Sequence, residues 1–335
     1  MKYFSILILT LLVMIPQIVE ANPLRALLTE REYLREMVNK PTLQVPNKTL
    51  RKGDSGFEVL ILSQRLGQIY SGVPQTSEFD TVLDDFVKLY QSDNNLGVDG
   101  IVGPVTRASL NISYADRLRA VERSIEAVRH INFAQRDIIV NIPSMTLTAY
   151  EAAQPVLFSR VVVGHPQRKT PLMSSRAFSI KYNPDWTVPP GITRRYRAKL
   201  AAEGPGYFQK KGIQIRYVDG QATFWQPPGP SSALGLLKFE LDNNQNIYLH
   251  DTNERSLFNR DDRARSSGCV RVQNYLELAS WLLQNSVAHV ERGIATKRTY
   301  WERVSNPVMV HMVYALAWPN ENGVITYHQD IYNRY

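Results

Sequence analysis

The stretch SSGCVRV at residues 266–272 contains Cys269, the single cysteine of the 335-residue chain. A second stretch, YLHDT at residues 248–252, places His250 19 residues before it. A lone thiol with a histidine elsewhere in the chain is the outline of a Cys–His nucleophile pair. The alternative is structural, because a single cysteine also serves as a small buried apolar residue. Gly268 favours catalysis, since a missing side chain lets an acyl group and backbone N–H donors approach the thiol.

The segments at residues 248–252, 257–258 and 263–272 together resemble a known active-site signature. They are similar to the YkuD family of L,D-transpeptidases, and most similar to its YcbB-type branch. Members of the family cross-link peptidoglycan stem peptides through a cysteine acyl-enzyme. Many of them have a second histidine where this chain has Ser267, so an oxyanion contact from that side chain is not carried over.

The resemblance implies a role for each residue of the signature. Cys269 is the expected nucleophile, and His250 the base that takes the thiol proton and returns one to the leaving amine. Neighbouring residues of a strand point to opposite faces, so the Asp251 side chain is poorly placed to orient His250. The family position implies that the Asp251 backbone carbonyl does so instead. The N–H groups of Gly268 and Cys269 are the expected oxyanion donors.

Other residues are expected to contact substrate. Arg271 matches a family position and could pair with a substrate carboxylate. The alternative is a structural ion pair of Arg271 with Asp251 or Asp261. Tyr248 shares a face with the histidine two residues away and is expected to line the site, as is Ser267. A helix expected from residue 274 onward would favour the thiolate form of the nearby cysteine.

The first residues have the pattern of a secretory signal, which predicts a periplasmic location. Lys2 precedes an apolar run at residues 6–15, and Ala21 ends an acceptable cleavage site. The run is shorter than the ~20 residues that a spanning helix needs, so no stable membrane insertion is expected after cleavage. An uncleaved anchor is the alternative. Export makes an unpaired thiol a liability unless it is buried or reactive.

Composition excludes several classes of site and partner. One cysteine cannot form a disulfide within the chain or a Cys-rich zinc site, and the six histidines show no HExxH spacing, so no metal or cofactor is expected. The net charge of +8 would draw an exported protein to an anionic polymer, and peptidoglycan with its peptide carboxylates is one. Nucleic acid is not expected, because no basic stripe with interleaved aromatic residues occurs.

The region before residue 135 is predicted to be helical. Residues 22–48 form a charged helical segment, and residues 113–134 a linker helix. Residues 49–112 resemble the three-helix peptidoglycan-binding domain, through GDSG at residues 53–56 and DGIVGPVT at residues 99–106. The alternative for this segment is a helical spacer with turn glycines.

Strand patterns begin near residue 137 and suit the mostly β catalytic fold that the resemblance implies. We assign residues 135–300 to the catalytic domain and residues 301–335 to a C-terminal β-hairpin packed on it. An insertion at residues 187–234 is expected to form a lid over the site, because so long a segment between strands is seldom a passive loop. Trp186 directly precedes it and Trp225 lies near its end, and both could contact substrate, anchor the lid or fill a core.

The sequence therefore predicts an α+β protein with a small peptidoglycan-binding domain and a cysteine-dependent L,D-transpeptidase domain. Its expected partners are peptidoglycan stem peptides, and the resemblance implies acylation by carbapenems. Two alternatives remain open. Water could take the acyl group, giving an L,D-carboxypeptidase or endopeptidase at the same Cys–His site, or the chain could be a non-catalytic peptidoglycan-binding protein.

Overall fold

The computed structural model describes residues 22–94, 96–229 and 231–335. The predicted signal sequence at residues 1–21 lies outside these described residues. Within them, no helix combines the length and the apolar composition needed to cross a bilayer. Helices dominate the N-terminal part and strands dominate the rest, which confirms the predicted α+β class.

The N-terminal part consists of α1 (Pro23–Met37), α2 (Phe57–Gly67), α3 (Thr81–Asp93), α4 (Pro104–Leu110) and α5 (Tyr114–Val128). Helices α2, α3 and α4 enclose a core of their own, which includes Val59, Leu62, Leu83, Val87 and Leu110. Local signals set where they begin. The Asp80 carboxylate caps α3 by accepting from the Leu83 N–H at 2.9 Å, and Pro104 occupies the first position of α4.

The remainder contains β1 (Asp137–Asn141), β2 (Thr146–Glu151), β3 (Gln154–Gly164), β4 (Met173–Tyr182), β5 (Trp186–Thr187), β6 (Gln214–Val218), β7 (Gln221–Gln226), β8 (Leu237–Leu241), β9 (Leu249–His250), β10 (Ala264–Ser266), β11 (Val270–Val272), β12 (Tyr300–Val313), β13 (Ala317–Pro319) and β14 (Ile325–Tyr327). The helices among them are α6 (Pro190–Glu203), α7 (Gly206–Lys210), α8 (Tyr275–Leu283) and α9 (Val287–Ala295), with a 3₁₀ helix at Arg255–Asn259.

Eight strands close into a ring, in the order β3, β11, β9, β8, β4, β12, β1 and β2. Strand β2 pairs with β3 and completes the ring, while β10 adds a parallel pairing at the end of β3. A continuous apolar core joins the strands to α8 and α9, which contribute Leu278, Leu282 and Val290. Closure leaves β9 and β11 hydrogen-bonded on both sides, and these two strands carry the predicted active-site residues.

Strand β12 corrects the hairpin predicted at residues 301–335. That prediction treated residues 301–335 as one hairpin packed on the catalytic domain. Instead β12 begins at Tyr300 and lies in the ring between β4 and β1, and the hairpin consists of β13 and β14. The reason is burial, because Val308, Val310 and Met312 alternate into the ring core. Residues assigned to a separate hairpin are thus part of the catalytic sheet.

Strand β1 is buried on both faces. Ile138 and Val140 belong to the core of the ring, whereas Ile139 belongs to a second core that it shares with α1 and α5. Leu27 of α1 and Val121 of α5 are fully buried there. The predicted linker helix is therefore packed on the catalytic ring together with α1.

The lid, residues 187–234, folds around a core of its own. Strands β5, β7 and β6 form a three-stranded sheet, and Phe208 of α7 packs against Phe224 of β7 with ring centroids 4.8 Å apart. Trp186 also belongs to this core. The entry and exit strands pair with each other, with Trp186 opposite Gln226, so the lid begins and ends at one place on the ring.

Candidate active site

Two neighbouring parallel strands bring the predicted cysteine and histidine together. His250 ends β9, Cys269 directly precedes β11, and Val270 lies opposite Leu249. The Val270 N–H donates to the Tyr248 carbonyl at 3.2 Å, which locks the two strands in register. Both Cys269 and His250 line one groove between the ring and the lid.

Residues 266–269 form a tight turn, called here the nucleophile turn. Gly268 has a φ of +120°, which side chains disfavour, so glycine is required by the backbone. Ser266 Oγ accepts from the Gly268 N–H at 3.1 Å and donates to the Cys269 carbonyl at 2.5 Å. Behind the turn, Thr170 Oγ1 donates to the Gly268 carbonyl at 2.8 Å. The thiol is thus presented on a turn whose peptide planes are fixed.

The two oxyanion donors predicted at this turn differ in their partners. The Gly268 N–H donates to Ser266 Oγ at 3.1 Å. In the described part of the chain, the Cys269 N–H has no hydrogen-bond partner. A substrate oxygen could therefore accept from the Cys269 N–H without displacing a protein acceptor, whereas at Gly268 it would compete with Ser266 Oγ.

The imidazole of His250 is oriented by the backbone. Its Nδ1 lies 2.5 Å from the carbonyl oxygen of Asp251, and a carbonyl can only accept, so Nδ1 carries the proton. The lone pair is therefore on Nε2. The structure has the Asp251 carbonyl in the orienting role that the resemblance implied.

Cations on both flanking strands keep His250 neutral. Lys238 of β8 and Arg271 of β11 each lie opposite His250 in the sheet. Burial, together with the charges of Arg271 and Lys238, lowers the pKa of His250 to about 3, although the Asp251 carbonyl raises it. At neutral pH the imidazole is an uncharged base.

The thiol of Cys269 is also neutral. Its Sγ lies 3.6 Å from the Asn246 carbonyl, to which it donates. Burial raises the pKa of Cys269, against the opposing effects of the Tyr248 N–H and hydroxyl and the charges of Lys238 and Arg271. The thiolate that we expected from a nearby helix start is therefore not favoured, because burial outweighs the surrounding positive charge.

The Asp251 side chain serves the framework. Its buried carboxylate accepts from the Leu236 N–H at 2.9 Å and pairs with Arg255 at 2.7 Å. A Cβ on Gly235 would lie 2.3 Å from Asp251 Oδ2, so the chain passes unusually close to the carboxylate. Asp251 thus connects the strand end at His250 to the segment that leaves the lid.

Arg271 forms an ion pair, but not with either predicted partner. Its Nη1 lies 2.5 Å from Glu254 Oε2. Asp251 instead pairs with Arg255. The Arg271 Nε–H is buried and has no partner among the described residues, so this donor is available to a ligand.

Tyr248 and Ser267 both line the groove. The Tyr248 ring meets the His250 ring edge to face at 5.5 Å, and Lys238 Nζ lies 4.2 Å from the Tyr248 ring centroid. Ser267 Oγ accepts from Arg195 Nη2 at 3.0 Å, and Arg195 belongs to α6 of the lid. The position where many family members have histidine is here a contact between the lid and the nucleophile turn.

The two predicted tryptophans separate. Trp186 lines the groove while its ring is buried in the lid core. Trp225 is not among the described residues that line the groove. Its Nε1 donates to Asp185 Oδ2 at 3.0 Å, and the Arg216 guanidinium lies 4.2 Å from its ring centroid. The structure therefore places Trp225 as a lid anchor and does not bring it together with the other predicted residues.

The groove has a volume of about 1130 Å³ and a strongly basic lining. Among the described residues, Glu254 is the one carboxylate in the lining. The cationic side chains are those of Arg168, Arg195, Lys199, Lys210, Lys211 and Arg271. A groove with this balance favours a ligand that carries carboxylates.

Sequence analysis missed Thr170, Asn246, Glu254, Arg168 and Arg195. The first three act through contacts between distant segments, and no local pattern predicts them. A signal was available for Arg195, since it lies in RRYR at residues 194–197, a basic run inside the predicted lid. Within the described ranges, no group of three or more His, Cys, Asp or Glu side chains is placed to hold a metal ion.

Comparisons with known proteins follow the same division of the chain. The family model YkuD, the L,D-transpeptidase catalytic domain, matches residues 135–308. A second model, described as "Putative peptidoglycan binding domain", matches residues 55–110. A Haemophilus influenzae protein described as "Putative L,D-transpeptidase" is 35% identical over 214 residues, which cover 58% of this chain and 44% of that protein. The chain therefore matches less than half the length of that relative.

Solved L,D-transpeptidase structures are also similar. One, residues 123–326 of the protein from Xylanimonas cellulosilytica, is 16% identical with a TM-score of 0.30 and covers 82% of this chain and 100% of that one. Another, L,D-transpeptidase 3 from Mycobacterium tuberculosis in complex with a faropenem-derived adduct, is 12% identical with a TM-score of 0.28. It covers 52% of this chain and 60% of that one.

Proposed function

Because the chain belongs to the YkuD family of L,D-transpeptidases, we propose that it cross-links peptidoglycan stem peptides through an acyl-enzyme on Cys269. The observation that carries this proposal is the hydrogen bond between His250 Nδ1 and the Asp251 carbonyl, on the strand next to the thiol. It leaves Nε2 as the basic nitrogen of a neutral imidazole. A neutral thiol needs such a base to become a nucleophile at neutral pH.

The first half-reaction forms a thioester. Cys269 Sγ attacks the carbonyl carbon of the L,D peptide bond in a tetrapeptide donor, and His250 Nε2 takes the thiol proton. The negative charge that develops on the carbonyl oxygen is stabilised by the Cys269 N–H. The C–N bond then breaks, and His250 returns the proton to the amine of the departing D-alanine.

The second half-reaction uses the same base. An amine on a neighbouring stem attacks the thioester carbon and gives its proton to His250 Nε2. The C–S bond breaks, and the sulfur leaves as a thiolate that takes the proton back. Since the low pKa of His250 disfavours imidazolium, each proton stays on the ring only briefly.

The groove supports a peptide substrate that carries carboxylates. Its basic lining complements the carboxylates of stem peptides, and its volume of about 1130 Å³ exceeds the range of ≈ 300–1,000 Å³ usual for small-molecule sites. The lid and the ring each supply one wall, so an extended peptide would contact both. These features favour a stem peptide over a small metabolite.

Product analysis tests this proposal against its two alternatives. Purified full-length protein would be incubated with a disaccharide-tetrapeptide, and the products resolved by mass. Cross-linked dimers are the expected result. Trimmed monomers alone would identify a carboxypeptidase or endopeptidase, and unchanged substrate would identify a binding protein.

Two variants control that experiment. Cys269→Ala and His250→Ala are each expected to abolish product formation while the protein stays folded. A carbapenem supplies an independent measurement, because its strained lactam acylates reactive thiols in enzymes of this kind. We expect a mass adduct on the wild type, and an adduct that persists on Cys269→Ala would contradict the assignment.

We further propose that residues 49–112 hold the enzyme on the cell wall and that it acts in the periplasm. The peptidoglycan-binding family match at residues 55–110 supports the first part. The signal pattern at the start of the sequence and the net charge of +8 support the second. Fractionation of cells is the test, and recovery in the cytoplasmic fraction would refute the location.

A further inference from the structure

An arginine of the ring and an arginine of the lid lie near each other beside the nucleophile turn. Arg168 belongs to the loop after β3, and Arg195 to α6 of the lid. Both line the groove. Arg195 donates to Ser267 Oγ at 3.0 Å, two residues before the thiol. Burial and, after it, the positive charge of Arg195 lower the pKa of Arg168.

The loop that carries Arg168 is rigid and joined to the nucleophile turn. The His165 N–H donates to the Ser266 carbonyl at 3.0 Å. Thr170 Oγ1 accepts from the Gly164 N–H at 2.9 Å and donates to the nucleophile turn. A Cβ on Gly164 would lie 2.2 Å from the Arg168 carbonyl oxygen, so the loop can fold back this tightly only beside glycine. The backbone of Arg168 is therefore joined to the nucleophile turn through its loop.

No carboxylate neutralises this pair in the described part of the chain. Arg271 has Glu254 and Arg255 has Asp251, whereas no ion pair involves Arg168 or Arg195. The Nε–H of Arg168 is buried and has no hydrogen-bond partner among the described residues. Arg195 is exposed and Arg168 is half-buried, so the group that an anion would complete is the buried Nε–H of Arg168.

We propose that Arg168 and Arg195 together bind a carboxylate of the acyl-donor residue and that this contact holds the lid against the ring. The inference rests on the transpeptidase reaction proposed above. One guanidinium belongs to the ring and the other to the lid, so an anion bound between them would bridge the lid and the ring. Guanidinium groups suit this ligand because they bind carboxylates through two parallel hydrogen bonds.

The strand order indicates which partner supplies the carboxylate. Strand β11, which follows the thiol, lies between β3 and β9 in the ring. The Arg168 loop follows β3 and His250 ends β9, so they flank the thiol on opposite sides. The leaving amine and the attacking amine both lie on the side of the thiol where His250 is, because His250 transfers the proton in both half-reactions. The acyl residue then occupies the arginine side and keeps its carboxylate contact through both half-reactions.

The test compares two donor tetrapeptides on the full-length protein. One has a free carboxylate on the side chain of its third residue, and the other has a carboxamide there. The rate of acyl-enzyme formation is measured by intact-protein mass. We expect the wild type to react at least about tenfold faster with the carboxylate donor. Arg168→Gln and Arg195→Gln should each bring the two rates close together, chiefly by slowing the carboxylate donor.

Arg194→Gln is the matched control. It removes the same charge from the neighbouring position of α6, and Arg194 is exposed like Arg195 but is not among the groove-lining residues. This variant should keep the wild-type preference. Alkylation by iodoacetamide, which is neutral, should be equal in all four proteins and shows that the thiol is intact.

The outcomes separate this inference from the proposed function. Absence of an acyl-enzyme with either donor in the wild type would reject the reaction itself. Equal rates for the two donors in the wild type, or a preference that survives both arginine substitutions, would overturn the inference alone. A second arm offers acceptors with and without a carboxylate to preformed acyl-enzyme. If the arginine variants change that selectivity instead, the assignment to the donor is wrong.

Discussion

One backbone oxygen determines the chemistry available to His250. The Asp251 carbonyl holds the proton on Nδ1, and burial together with the flanking Arg271 and Lys238 opposes a second proton. Many Cys–His enzymes rest as a thiolate–imidazolium ion pair, but here both partners rest in their neutral forms. The thiol must therefore be deprotonated during attack, in the presence of the substrate.

A pH profile of thiol alkylation tests this resting state. Because the pKa of Cys269 is raised and that of His250 is about 3, the rate of reaction with iodoacetamide should rise continuously from neutral into alkaline pH. No step should occur near pH ~6.5, where an ordinary histidine titrates. A plateau between about pH 5 and 8 that is lost in His250→Ala would instead reveal an ion pair.

Thr170 is a positioning residue for the nucleophile turn. Its hydroxyl joins Gly164 to the Gly268 carbonyl inside the protein, and thereby sets the direction of the next N–H, that of Cys269. Thr170→Val keeps the shape but loses both hydrogen bonds, so acylation by substrate should slow by about tenfold or more. Alkylation by iodoacetamide needs no oxyanion donor and should be unchanged.

The serine variant provides the check on this role. Thr170→Ser retains the hydroxyl and should restore the acylation rate. Thr170→Val also leaves buried groups unpaired, which costs about 1–3 kcal/mol of unfolding free energy. If Thr170→Val were less stable yet acylated normally, Thr170 would be structural only.

At the level of elements, opening the lid should affect the handling of substrate without reducing the reactivity of the thiol. Phe208 and Phe224 form its buried centre and are not among the described residues that line the groove. Phe208→Ala should destabilise the lid by about 3–5 kcal/mol. An open lid admits water, so the ratio of hydrolysis to cross-linking should rise, while iodoacetamide alkylation stays equal or becomes faster.

An exposed aromatic of the same lid provides the control. Tyr217 is 69% exposed on β6, and Tyr217→Ala should leave the product ratio at its wild-type value. Thermal melting is recorded beside both assays. If Phe208→Ala lost all activity and also lost its main unfolding transition, the lid and the ring would unfold as one unit. That result would contradict the lid hypothesis.

Helices and strands whose apolar residues repeat at a regular spacing were predictable from the sequence. The elements against which they pack were not. Val121, Ile125 and Val128 recur at helical spacing and form α5, but nothing local indicates that this helix covers β1. The hairpin predicted at residues 301–335 included most of β12, but nothing local showed that this strand lies between β4 and β1. The Cys269–His250 pairing was accessible only because both residues lie in a recognisable signature. The contact of Arg195 with Ser267 joins segments 72 residues apart, and it could not be predicted from the sequence.

Across the whole molecule, the N-terminal part serves two purposes. Helices α1 and α5 cover the outer face of β1, while α2, α3 and α4 form a separate unit between them in sequence. The Tyr114 N–H donates to Thr42 Oγ1 at 3.3 Å, so the chain enters and leaves the three-helix unit at adjacent points. A fragment that begins at Asp137 would expose the core under α1 and α5.

An internal deletion is therefore the right way to test wall binding. Replacing residues 45–111 by a short Gly-Ser linker should keep acylation of soluble tetrapeptides close to the wild-type rate. Sedimentation with insoluble sacculi should fall clearly, because the proposed wall-binding unit is gone. Equal sedimentation of the two proteins would remove the binding role from residues 49–112.

The paired ends of the lid also bear on how such enzymes diversify. Since Trp186 lies opposite Gln226, the insertion closes on itself before the chain rejoins the ring. A longer, shorter or unrelated cap could be exchanged at that point without shifting the register of β4 or β8. Substrate preference could thus change by swapping one module, while the acyl-transfer residues on β9 and β11 are inherited unaltered.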